Sequence, residues 1–431
     1  MNQNHKSFKK FLLLWAGQFI AAIGNGLTSF GLGVYVFEQT GKASAMALVT
    51  LLAFLPSLLL SPLAGVLADR YDRRILMVMG DGLSAVGLVF ILIGVLQGQF
   101  SLWQICAGVV ISSVFSALLE PAYKATVSDL LTEDQYARAS GLVQIAGSAK
   151  YLISPLIAGF LLAVTDIKWL LIIDICTLFV TVVSTLAVRK GLVSKQNAAS
   201  GSHSLVLEFQ EGWQAITRNQ GVLLLVVMTS LLTFFLGFIQ TLFTPMILAF
   251  ADSSKLGTAE TISASGMLVT SVIIGAKSID KGYARMLSVS LFFAGIFMAM
   301  FGLRENMVLI CIAGFLFFAM LPFANTSLDV LIRTNIENSL QGRAWGLIGI
   351  ISQFGYVLAY ALSGILADYV FTPLLLPQGA LAGTVGRFVG VGAGRGTGLL
   401  IITAGLLLSV TSLVLYRIKA VRQLDDRGTV C

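Results

Sequence analysis

The sequence predicts an all-α membrane protein: twelve transmembrane helices in two six-helix bundles related by a pseudo-symmetric repeat. Three observations carry this reading. The 431 residues are 57% hydrophobic and 11% charged, with a mean hydropathy of +0.89, too apolar for a surface solvated by water. Apolar runs long enough to cross a bilayer, about 20 residues for roughly 30 Å of hydrocarbon, recur along the chain. In lipid each backbone polar group must be satisfied within its own segment, which selects helices. Third, "RASGLVQIAGSAKYLISPLIAGFLLAV" (138–164) aligns without gaps onto "RAWGLIGIISQFGYVLAYALSGILADY" (343–369), with eight of 27 positions identical. The identical pairs include Arg138/Arg343, Gly141/Gly346, Tyr151/Tyr356 and Gly159/Gly364.

The spans follow in order. The first, 11–37, follows the basic flank "MNQNHKSFKK"; it is too long for a signal peptide and lacks a cleavage site, so it is expected to be retained. The second, 44–68, has no charge after residue 46 and ends on the cluster "DRYDRR" (69–74). The third (75–96), fourth (102–123), fifth (138–163) and sixth (169–188) each enclose one ionisable residue of note: Asp81, Glu120, Lys150 and Asp174. A polar stretch, 189–220, then divides the chain. Its Ser, Gly and Asn portion reads as linker, and "LVLEFQEGWQAI" as an amphipathic helix on the membrane surface. The remaining spans are 221–249, 262–279, 286–303, 307–325, 344–369 and 398–416. The eighth is polar and contains glycine; the eleventh ends in a long loop. The domains are thus 1–188, a linker 189–220, and 221–431.

Orientation follows from Lys and Arg. With a cytoplasmic N-terminus, 21 of the 28 cationic residues fall inside and six outside, and Lys150 lies within a span. This asymmetry places both termini in the cytoplasm. The net charge of +7 is then a topology signal and implies no nucleic-acid partner. Four cysteines without metal-ligand spacing and two histidines outside the apolar runs leave no metal site. No nucleophile–base pair appears, which argues against an enzyme. No P-loop occurs, so the chain is not expected to draw on ATP or any cofactor. "DRY" (69–71) is also a signature of seven-helix receptors, but here it follows the second of twelve spans. A six-plus-six repeat is the architecture of a rocking transporter with its substrate site between the halves.

The loop after the second span carries a motif. Gly65, Asp69, Arg70, Arg73 and Arg74 fit G-x-x-x-D-R-x-x-R-R, which resembles the loop motif of the major facilitator superfamily. Asp72 stands where that family has glycine, a departure expected to loosen the turn. In the resemblance, Gly65 lets a helix approach closely, Asp69 sits on the N-terminus of a facing helix, and the arginines bridge to carboxylates at cytoplasmic helix ends. A degraded copy, "GAKSIDKGYAR" (275–285), stands in the second half. In the fifth span, Gly141, Ser154, Pro155, Ala158 and Gly159 resemble the helix-packing antiporter motif of the drug-exporting members, with Lys150 in place of a glycine whose repeat counterpart is Gly355. The fourth-span arginine of that group is missing. The segments 12–44 and 373–400 look like the macrolide-efflux branch.

The resemblance implies a monomeric, multi-pass secondary transporter in a bacterial cytoplasmic membrane. It would export hydrophobic or amphipathic small molecules by alternating access, coupled to protons. A proton-coupled importer and a non-transporting receptor are the alternatives. Asp81, Glu120, Lys150 and Asp174 are the candidates for coupling or substrate contact, because an ionisable group at membrane depth must pair or face a cavity. Lys150 either pairs with one of the three carboxylates or senses substrate or protons from the cavity. Gln18, Asn25, Gln144, Gln240, Gln353 and Tyr356 are candidates for the cavity lining.

Overall fold

The computed structural model describes residues 7–189, 205–276 and 282–427. Of the expected segments, residues 190–204 of the linker and the middle of the degraded second motif lie outside the described residues. Among the described residues, twelve helices are long and apolar enough to cross a membrane. The chain divides into two compact units, Met1–Gly41 with Leu48–Ser202, and Lys42–Ala47 with His203–Cys431.

The first unit holds α1 (Phe8–Thr40), most of α2 (Ala43–Arg70), α3 (Arg73–Leu96), α4 (Leu102–Ser116), α5 (Leu119–Leu130), α6 (Tyr136–Leu152), α7 (Ser154–Val164) and α8 (Ile167–Arg189). The fourth span is α4 continued by α5, and the fifth is α6 continued by α7. The second break falls at Ile153, and Pro155 sits in the first turn of α7, where its missing N–H costs nothing.

The second unit holds α9 (Leu205–Thr217), α10 (Gln220–Leu248), α11 (Ser253–Ala276), α12 (Tyr283–Leu303), α13 (Met307–Asn335) and α14 (Asn338–Ile365). A π turn, Leu366–Phe371, continues α14 into the short α15 (Thr372–Leu374). The loop after α15 contains α16 (Gly386–Val389), and α17 (Arg395–Arg417) and α18 (Lys419–Arg427) follow. The expected surface helix is α9. Its Ile216 is fully buried and it packs on α14 and α10, so one side of its apolar face is covered by protein; Trp213 remains exposed. Glu211 of α9 pairs with Arg343 of α14.

Both units use the same helix pairings. Spans one and five meet as α1 with α6 and α7, and spans seven and eleven as α10 with α14. Spans three and four meet as α3 with α4, and nine and ten as α12 with α13. Spans three and six meet as α3 with α8, and nine and twelve as α12 with α17. The repeat seen in one span of each half therefore extends to the packing of the units.

Lipid tails are as apolar as leucine, so helices associate in a membrane through close packing and interhelical hydrogen bonds. The α12–α17 contact shows how close. A Cβ on Gly302 would lie 2.1 Å from the Gly398 carbonyl oxygen, and one on Gly295 2.4 Å from that of Gly405. Two glycine pairs, seven residues apart on each helix, bring the backbones together. Ser409 donates to Phe292 O at 3.0 Å and Ser412 to Ser288 O at 2.7 Å across the same contact. Beside it, Arg395 donates to Gly302 O at 2.5 Å and lies 3.7 Å from Glu305.

The eighth span begins nine residues before its expected start, at Ser253. Asp252 accepts from the Lys255 N–H at 2.9 Å. That bond and the Lys255 ammonium hold the Asp252 carboxyl below its ordinary value. Leu256 and Ala259 are fully buried.

Gly302→Leu should force α12 off α17. Overpacking of this kind costs about 1–3 kcal/mol or more, so purified protein should melt at lower temperature and at reduced yield. Gly349→Ala, whose Cβ would meet open space, should leave both unchanged. Equal melting curves for the two variants would show that the glycine contact is dispensable.

Candidate functional site

The first unit encloses a polar stripe at membrane depth. On α8, Asp174, Thr177, Thr181, Ser184 and Thr185 recur at helical spacing, and all but Thr177 are buried. The opposing face of α1 is glycine: a Cβ on Gly24 would lie 2.1 Å from Thr177 Oγ1 and 2.9 Å from Asp174 Oδ1, and one on Gly17 2.3 Å from Ser184 Oγ. Only glycine leaves room for these polar side chains beneath α1. From the neighbouring face, α3 contributes Asp81.

Asp81 is 2% exposed and Asp174 1%. Gln18 and Thr181 face Asp81, and Thr28 and Thr177 face Asp174. Thr177 donates to Asp174 Oδ1 at 3.4 Å. The Oδ2 atoms of both aspartates are buried and accept no hydrogen bond, and Gln18 Nε2, Thr28 Oγ1 and Thr185 Oγ1 are likewise unpartnered. Most buried polar groups in native proteins have a partner, so five such atoms in one stripe mark a site built for something other than packing.

Lys150, near the end of α6, is half-buried. Among the three candidate carboxylates its charge acts on Asp174, without an ion pair within 4 Å. Its ammonium lies 6.0 Å from the Tyr151 ring centroid. Its backbone is held against α1, because Ser154 donates to Ile23 O at 3.0 Å and a Cβ on Gly26 would meet Ser154 Oγ at 2.3 Å. Pro155, Ala158 and Gly159 are buried in the same packing, whereas Gly141 is exposed with open space beside it. Glu120 stands apart. It is exposed and pairs with Lys124 one turn on, at 2.6 Å. Asn25 and Gln144 are exposed.

The loop motif is built within this unit. Asp72 caps α3, accepting from the Arg74 N–H at 3.0 Å, and faces Arg189 of α8 at 3.4 Å. The residue expected to loosen the turn therefore tightens it: with φ −61°, the position needs no glycine. Arg73 donates to Ala68 O, to Ala125 O and to Asp129 at the end of α5, the last at 2.8 Å. Arg74 is buried and Arg70 exposed. Asp69 lies in the last turn of α2, and its side chain is outside the described residues. A Cβ on Gly65 would meet nothing within 4 Å, so the close approach expected there is not made.

In the second unit, Tyr360 donates to Gln240, and the Tyr356 and Tyr360 rings lie 5.8 Å apart. Gln353 stands one turn before Tyr356, its Oε1 buried and unpartnered. These groups form a neutral patch of amide and aromatic surface on α10 and α14. Sequence reasoning missed Tyr360, the threonines of α8 and Glu260. Glu260 is half-buried in α11 and has no hydrogen bond or ion pair to a described residue. Starting the eighth span at 262 left it outside the membrane; the start at Ser253 brings it in.

The family model described as "Major Facilitator Superfamily" matches residues 14–360. Macrolide efflux protein A of Streptococcus pyogenes is 25% identical over 371 residues, 84% of this chain and 90% of that protein. Macrolide efflux protein A of Enterococcus faecalis is 26% identical over 313 residues, 72% of this chain and 97% of the relative. Among solved structures, that of the nucleoside transporter NupG superposes with a TM-score of 0.72 at 13% identity, covering 95% of this chain and all of the other. With twelve spans, two units of like helix pairing and a match over most of its length, the chain belongs to the Major Facilitator Superfamily and is a membrane transporter, not an enzyme.

Proposed function

We propose that this transporter exports hydrophobic or amphipathic small molecules, of macrolide, drug or secreted-metabolite type, by alternating access and proton antiport. It works as a monomer in a bacterial cytoplasmic membrane with both termini in the cytoplasm. The observation that carries the coupling is the buried pair Asp81 and Asp174, each with an unpartnered oxygen. A carboxylate at membrane depth is stable only when neutralised, by a proton or by a cation. A site that exchanges one for the other couples their movements. Lys150 lies on the Asp174 side, beyond ion-pair distance, so its charge offsets that of Asp174 from afar when the proton leaves. The similarity to proteins named for macrolide efflux supports export, and the amide and aromatic patch at Gln240, Gln353, Tyr356 and Tyr360 suits a ligand with apolar faces and few hydrogen bonds. The excess of Lys and Arg on one side supports the orientation.

Energy supply is tested with a macrolide or dye accumulated in intact cells. Efflux should collapse when a protonophore dissipates the gradient while ATP is held constant. Uphill efflux that survives this treatment would end the antiport reading.

Asp174→Asn keeps the shape of the side chain and removes its titration. Proton-driven efflux should fall at least tenfold, with exchange of substrate across the membrane retained. Lys150→Ala should shift the pH dependence of efflux or its preference between cationic and anionic substrates. An unchanged pH profile and substrate range for Lys150→Ala would leave that residue no part in coupling or recognition.

Asp69→Asn should abolish most efflux at normal membrane levels, since the motif is assigned to the cytoplasmic gate. Efflux near that of the unaltered protein would reduce Asp69 to a topology determinant.

A further inference from the structure

We propose that Asp368 is a positioning residue that fastens the outer end of α2 and so sets how readily the outward side of the transporter opens. This rests on the alternating-access reading above. Asp368 lies in the π turn that ends α14. Its Oδ1 accepts from the Ala43 N–H at 3.1 Å and its Oδ2 from the Ser44 N–H at 2.8 Å. These are the first two N–H groups of α2, which have no partner within their own helix. A carboxylate there also meets the positive end of the helix dipole.

Three further observations give the contact a role beyond capping. Gly364, one turn before Asp368, has no room for a side chain: its Cβ would lie 2.4 Å from Ser44 Cα. The approach is therefore made at backbone distance. The π turn is a costly irregularity in a helix, and such turns concentrate at functional sites. It falls where the carboxylate must reach Ala43 and Ser44. Lastly, α2 is one continuous helix, yet its first turn, Lys42–Ala47, groups with the second compact unit, while the helix from Leu48 onward groups with the first. Within that turn Ala43, Ala45, Met46 and Ala47 are all buried. In the repeat the counterpart of Asp368 is Ala163, so the carboxylate is no requirement of the shared packing.

The same helix carries Asp69 in its last turn, and the loop motif runs on from there into α3. One helix thus has a carboxylate device at each end: Asp368 received at its N-terminus, Asp69 presented near its C-terminus. In the proposed cycle the outer fastening holds while the cytoplasmic gate is open, and releases when the motif engages.

The test uses full-length protein with Cys106, Cys176, Cys311 and Cys431 replaced by Ser, carrying Ala45→Cys in the buried first turn. A membrane-impermeant maleimide is applied outside intact cells. Labelling should be slow with Asp368 present. Asp368→Ala should speed it about tenfold, the loss expected for a helix cap, and Asp368→Asn, which keeps one acceptor, by less. Gly364→Val should speed it without altering any charge. Val389→Cys, buried in the outer loop of the same unit, should stay slow in each background, which separates opening from general loosening. Unchanged labelling in Gly364→Val and in whichever Asp368 variant reaches the membrane at normal level overturns the proposal. Fast labelling at Val389→Cys as well would overturn it too. The outcomes are independent of the export reading: proton-driven efflux with unaltered labelling removes the fastening alone, and altered labelling without efflux by the unaltered protein removes the exporter alone.

Discussion

Gly17 and Gly24 present bare backbone to α8, and the character of the first unit depends on that bareness. A methyl group at either position would strike Ser184 or Thr177. The helices would separate, and the polar stripe from Asp174 to Thr185 would lose the cover that keeps it from lipid. In water such a stripe would be solvated and unremarked. In a bilayer three of its hydroxyls satisfy themselves on the backbone of their own helix: Thr177 donates to Asp174 O, Thr181 to Leu178 O and Ser184 to Thr181 O. The carboxyls have no such recourse. They can only accept when ionised, and one oxygen of each is left without a donor. Close helix packing, the main source of stability without water, thus also isolates the groups that can bind a proton.

The loop motif shows a division of labour among its charges. Arg73 and Asp72 are braces, tying the start of α3 to the ends of α2, α5 and α8 within one unit. The fully buried core around Phe11, Leu14, Met77 and Leu130 lies beneath them. A rigid helix end follows, and a rigid body is what a rocking mechanism needs, since a soft unit would absorb the movement within itself. Gate-making is then left to residues that are not braces, which agrees with the separate role proposed for Asp69.

Much of this was legible in the sequence because the bilayer imposes length. The second, third and ninth spans were readable to within a few residues from hydropathy alone, and the six-and-six organisation from one repeated segment. Legibility ended where polarity was mixed. "SSKLGTAET" opens α11 with too few apolar residues to register, though Leu256 and Ala259 are enough to bury one side of it. Glu260 was lost with that boundary. Asp81, Asp174 and Lys150 were visible as charges out of place. Their company was not: Thr177 and Thr181 are ordinary residues for a membrane helix, and acquire meaning only once α1 is known to offer glycine opposite them. Asp368 was hidden by its position in a span's ragged end, where charges are common.

The two units share a packing plan and differ in what they put into it. At the equivalent of Lys150 the second unit has Gly355, whose Cβ would lie 2.0 Å from Ser230 O, so α14 closes on α10 where α6 carries a cation. The consequence runs through the site. Where backbones meet, no titratable side chain fits, and the second unit presents neutral groups, the Gln240 amide and the Tyr356 and Tyr360 rings. Where the first unit keeps side chains at that depth, it keeps charges. On the antiport reading proposed above, ligand surface and proton-binding groups fall on different halves of one repeat, and a neutral hydrophobic substrate need not displace a proton by contact. Under that reading coupling acts through conformational change and not through contact, a requirement that Glu260, a carboxylate within the second unit, relaxes if it joins in proton binding.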